Sequence, residues 1–131
     1  MTGGQRTIGA PLAYINGKFE HNCTINIDAI TKKIVNIAVN VDDMDSLHSV
    51  EYYSGIITPL WDGWSGTMTA RKIKELLDSY KELNGTSLSG ILESACRGRN
   101  IEAGYNGPLM LLSGIDFKNL ELKENSNLKI L

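Results

Sequence analysis

The side chains in this chain that could do acid–base, nucleophilic or metal chemistry are few and widely spaced. There are two histidines, His21 and His48. On a strand, residues i and i+2 point to the same side, so a His-x-His pair can converge on one ion. Neither histidine has such a partner, and no shared metal site is expected of them. Asp42, Asp43 and Asp45 are oxygen donors of the kind calcium or magnesium takes, but the glycine and terminal glutamate of an EF-hand loop are missing. A solvated acidic loop is the expectation. Cys96 is followed by Arg97 and lies near Arg99. If exposed beside those cations, its thiol would ionise more readily and could serve as a nucleophile. The other reading is a small apolar residue on the buried face of a helix, the face to which Leu88, Leu92 and Ala95 belong. Cys23 alternates with Ile25 and Ile27 and reads as core. Trp61-Asp62-Gly63-Trp64 sets two indoles around a glycine turn. Tryptophan is enriched at binding hot spots, so Trp61 and Trp64 are the candidate partner-binding residues. Alternatively they plug an apolar face that a soluble protein must cover. No residue is assigned a catalytic, cofactor or metal role, and no cofactor is expected.

The chain that must position these groups has 131 residues, enough for one domain with an adequate core. Hydrophobic residues make up 42% and charged residues 21%, which argues against global disorder. The formal net charge is −2. Nucleic-acid binding normally requires a basic excess or a dense Lys/Arg stripe. The nearest approaches, Arg71-Lys72-Ile73-Lys74 and Arg97-Gly98-Arg99, are too short, so no nucleic-acid partner is expected. No run approaches the roughly 20 apolar residues of a membrane span, and the first residues lack the apolar core of a signal peptide. The expectation is a cytoplasmic protein with no membrane partner and two reduced thiols.

Periodicity gives a β–α–β order. The first ten residues, rich in glycine, read as irregular. From Leu12 the pattern is strand-like, and Asn16-Gly17 is a two-residue hairpin signal. Residues 23–27 alternate, residues 34–39 are β-branched and apolar, and residues 50–57 read as a further strand. Over residues 69–83 the period changes. Ala70, Ile73, Leu76, Leu77, Tyr80 and Leu83 recur at helical spacing, and Asn84-Gly85 stops the run. A shorter helix is expected over residues 87–96, in which Gly90 costs about 1 kcal/mol relative to alanine. Strands return at residues 101–104, 109–112, 120–122 and 128–131. Each end offers too few strands to be stable alone, so both must build one core. The fold class is α+β and β-rich. A sandwich or strongly bent sheet is expected from residues 12–59 and 100–131, with a helical segment at 67–99 inserted between them.

Three stretches carry a resemblance. They are Tyr14-Ile15-Asn16-Gly17-Lys18, then Thr31-Lys32-Lys33-Ile34-Val35-Asn36-Ile37, then Tyr53-Ser54-Gly55-Ile56-Ile57-Thr58-Pro59. Together they resemble the N-terminal arm of the amidohydrolase superfamily, nearest its chlorohydrolase and aminofutalosine-deaminase-like members. The passages Ser94-Ala95-Cys96, Asn100 to Tyr105, Gly107 to Asp116 and Asn119 to Ser126 resemble the same family's C-terminus.

The resemblance implies that the two ends form the small composite β domain that accompanies a metal-bearing (β/α)₈ barrel in that family. A barrel needs about 250 residues, for which this chain has no room. The resemblance also implies a His-x-His pair soon after the Thr58-Pro59 exit. Leu60-Trp61-Asp62-Gly63-Trp64 stands there instead, and no histidine follows up to Leu131. No catalytic residue is carried over. The reading is a non-catalytic composite domain whose partners are a second copy or the missing barrel. The alternatives are a small binding module using Trp61 and Trp64, or a small enzyme using Cys96.

Overall fold

Asn16 and Gly17 turn the chain sharply, with φ of 52° and 78°. Both residues tolerate this left-handed region, and the turn matches the twist of the strands it joins. It closes a long hairpin between β1 (Gln5–Ile15) and β2 (Lys18–Asp28), in register from Ile15↔Lys18 to Gln5↔Asp28. A computed structural model describes residues 4–42 and 50–131 of the chain. The N-terminal residues expected to be irregular are half of β1 from Gln5 onward. Glycine and proline there masked a strand that is paired along both edges.

β3 (Ile34–Ala38) pairs antiparallel with β2, while β4 (Val50–Tyr52) and β5 (Ile56–Thr58) both run parallel to β1. β4 and β5 are the single strand expected over residues 50–57, interrupted at 53–55 but still following β1. Tyr53 N–H donates to the Gly9 carbonyl at 2.8 Å across the interruption. β6 (Met110–Ser113) lies antiparallel on the far edge of β5, and β7 (Asn127–Ile130) lies outside β6. The order is β3-β2-β1-β5-β6-β7, with β4 beside β1. Both ends of the chain therefore enter one mixed sheet, giving a β-rich α+β fold. Residues 101–104 and 120–122, expected as strands, are not strands. Glu121 makes only isolated bridges to Ser87 and Asp116.

β5 and β6 are apolar without alternation because both their faces are covered. Ile56, Met110 and Leu112 enter one core cluster, and Ile57 and Leu111 enter the other. The first cluster lies under the helices. The second is closed by Ile101 and Leu109 from the returning loop. Along β1 the same parity changes cluster: Ile8 and Ala10 belong to the second, Leu12 and Tyr14 to the first. The strand turns over at Pro11, opposite Asn22, which has φ 49°. On the two sides of Pro11, β1 thus turns the same side-chain parity toward opposite cores.

α1 (Ala70–Asn84) starts at Thr69, whose side chain accepts the Lys72 N–H, and ends at Gly85, with φ 71°. Leu77 is buried and Ile73, Leu76 and Tyr80 are half-buried, but Leu83 at the end of the expected stripe is 79% exposed. α2 (Leu88–Ala95) buries Leu88, Ile91, Leu92 and Ala95 as expected. A methyl group on Gly90 would meet Asn84 at an ordinary 3.5 Å. Gly90→Ala is therefore expected to stabilise the protein by about 0.5–1 kcal/mol, through lower backbone freedom in the unfolded chain. The measurement is a urea midpoint that rises with an unchanged slope.

Candidate functional site

Where the family resemblance would place metal ligands, at the exit of β5, the chain is tied into the core instead. Thr58 is fully buried; its hydroxyl donates to the Pro59 carbonyl and accepts the Trp61 indole N–H at 2.9 Å. The Leu60 N–H donates to the Tyr105 hydroxyl oxygen at 3.2 Å, and that hydroxyl donates to the Pro108 carbonyl at 3.0 Å. The Asp62 N–H donates to the Ala95 carbonyl at the end of α2, and the Tyr80 hydroxyl of α1 donates to the Asp62 carbonyl. The Asp62 carboxylate pairs with Arg99. Residues 58–62 thus join β5, both helices and the returning loop.

Trp61 is 1% exposed and meets Tyr80 edge-on, with ring centroids 5.5 Å apart. Of the two readings of these indoles, the burial of Trp61 fits the one in which they plug an apolar face. Trp61 is a core residue no partner can touch in the folded chain, because its indole finds both its apolar cover and its hydrogen bond inside. Trp64 is half-buried and packs against the same cluster.

Cys96, Arg97 and Arg99 do come together, lining a cleft of about 220 Å³ with Tyr14 and Glu93. The thiol itself is 3% exposed. Burial pushes its pKa up to about 12, outweighing the lowering influence of the Thr58 hydroxyl and of Arg99. Of the two readings of Cys96, the structure supports the buried one. The Cys23 thiol is likewise raised, to about 11, chiefly by burial. Native protein at pH 8 should therefore react with iodoacetamide far more slowly than protein unfolded in urea, as read by mass spectrometry. The unfolded chain releases these protons near pH 9, while the folded chain holds them to about 11 and 12. Stability should therefore fall as pH rises through that window, and these thiols should not influence it below pH 9. A pH-independent urea midpoint between 9 and 11 would contradict this.

His21 is exposed on β2, opposite Leu12. His48, Asp43 and Asp45 lie outside the described residues, and Asp42 is exposed. Among the described residues, no three His, Cys, Asp or Glu side chains stand together as metal ligands. Among the described residues, the donor set does not fit the metal that the amidohydrolase resemblance would imply. Among the described residues, no helix is long and apolar enough to cross a membrane.

Several contacts at this end of the sheet had no signal in the sequence. The Asp62–Arg99 pair spans 37 residues, and Tyr105 reaches Leu60 across 45. Neither partner carries a motif. Comparison with protein-family models, curated proteins and solved structures finds no match for this chain.

Proposed function

We propose that this chain is a non-catalytic composite β domain of the amidohydrolase type, working by association rather than turnover. Its partner would be a second copy or a barrel-bearing chain, and two buried thiols suit a cytosolic setting. The support for this reading is the ladder between β5 and β6, in which Ile56↔Leu112, Ile57↔Leu111 and Thr58↔Met110 pair. It unites residues from before and after the helical segment, as the family's composite domain does. The knitted exit of β5 adds to this, because its side chains are committed to packing where ligands would be needed.

The test is a zinc titration of the purified chain, with metal analysis and an assay for C–N hydrolysis on deaminase substrates. The expected result is no stoichiometric metal and no turnover. One tightly held zinc per chain, together with hydrolysis that a chelator abolishes, would overturn the reading.

A further inference from the structure

On the opposite side of the sheet from the helices, a cleft of about 230 Å³ opens between the β2–β3 turn and residues 106–109. Its apolar lining includes Ile27, Ile34, Leu109 and the chain's own Leu131, and its charged side chains are Arg6 and Lys32, with no Asp or Glu side chain. The walls are fixed. Ile34 N–H donates to the Tyr105 carbonyl and Gly104 N–H to the Ile34 carbonyl, which holds the loop against β3. The Tyr105 ring folds back over Gly107, where an added Cβ would come within 2.5 Å of its hydroxyl oxygen. The turn is held by the Asp28 carboxylate, which accepts the N–H groups of Ile30 and Thr31.

Arg6 is positioned in the same way. Its Nε and Nη2 donate to the two Glu51 oxygens at 2.8 and 3.0 Å. Its Nη1 donates to no side chain or carbonyl among the described residues. Lys32 makes no ion pair among the described residues. Among the described residues, Arg6 Nη1 and the Lys32 ammonium thus lack a protein acceptor at the rim of an apolar floor, while the rest of the Arg6 guanidinium is held by Glu51. A bare inorganic anion would leave that floor wet, and a neutral apolar molecule would leave the donors unused.

We propose that this cleft binds a small carboxylate with an apolar body, the body against Ile27, Ile34 and Leu109 and the carboxylate between Arg6 and Lys32. The carboxylate could belong to a free acid or to the C-terminal end of an apolar peptide, which presents the same chemistry. This inference is independent of the proposed domain relationship.

The experiment is a methyl NMR titration of the full chain with 4-methylpentanoate, 4-methylpentanamide, N-acetyl-leucine and inorganic phosphate. The acid should shift the methyl signals of Ile27, Ile34 and Leu109 saturably, with Kd on the order of a millimolar or below for so few atoms. The amide and phosphate should bind at least about tenfold more weakly. Tighter binding of N-acetyl-leucine than of the free acid would assign the source to a chain terminus. Lys32→Glu, an exposed change, should keep the melting temperature and weaken the acid about tenfold. No saturable shift at these methyls, an equal response to the amide or to phosphate, or an unaffected Lys32→Glu variant would each overturn the proposal.

Discussion

Trp61→Ala should cost about 3–5 kcal/mol, the range for emptying an aromatic site in a packed core. That is a large share of the ~5–15 kcal/mol that holds a domain of this kind together. Trp61 is enclosed by the first core cluster and donates its indole N–H to Thr58. Truncation therefore leaves a cavity beneath both helices. Trp61→Phe keeps most of the volume and loses the hydrogen bond, and should cost about 1–2 kcal/mol. Trp64, half-buried, should cost less than Trp61 on truncation, about 1–2 kcal/mol. Urea unfolding of the three variants tests the order. Equal losses for Trp61→Ala and Trp64→Ala would show that the indoles share one environment, contrary to the packing described.

Gly55→Ala should be nearly as damaging, about 3 kcal/mol, the upper end of what forcing extra atoms into a packed site costs. A Cβ at Gly55 would come within 2.5 Å of the Leu112 carbonyl oxygen and 2.9 Å of a Leu111 methyl. Backbone cannot yield as a flexible side chain can, so β5 and β6 would have to separate where the two chain ends meet. Gly4→Ala, with open space around the added methyl, is the control and should be neutral. Amide exchange along β5 and β6 should speed up in Gly55→Ala while the β1–β2 hairpin keeps its protection. A Gly55→Ala protein as stable as the parent would mean that this seam is looser than described.

The sequence was informative where a local rule decided the outcome. Asn16-Gly17 located the hairpin because few other dipeptides accept two successive positive φ values. The apolar spacing from Ile73 to Tyr80 located α1 because one helix face meets the core. It failed where distant pairing decided. β1 begins at Gln5, within glycine-rich sequence, because β2, β4 and β5 supply its partners from 18 to 58. Leu120 and Leu122 look like a strand, yet they pack as half-buried and buried loop residues in the first cluster. Trp61 looked available because two indoles beside a glycine suggest a surface turn. Only the arrival of Thr58, Tyr80 and Met110 around it reveals an interior. The cleft at Arg6 was invisible for the same reason, since its walls come from four separate stretches.

The place of β6 in the sheet sets an order of events during synthesis. β5 lies between β1, made before it, and Met110–Ser113, made only after both helices. Until Met110–Ser113 emerge, Ile56 and Ile57 sit on a strand with one flank bare, in a chain already carrying both helices. Nascent chains halted before Met110 should be sticky, protease-sensitive and dependent on chaperones, whereas emergence of Met110–Ser113 should bring protection in one step.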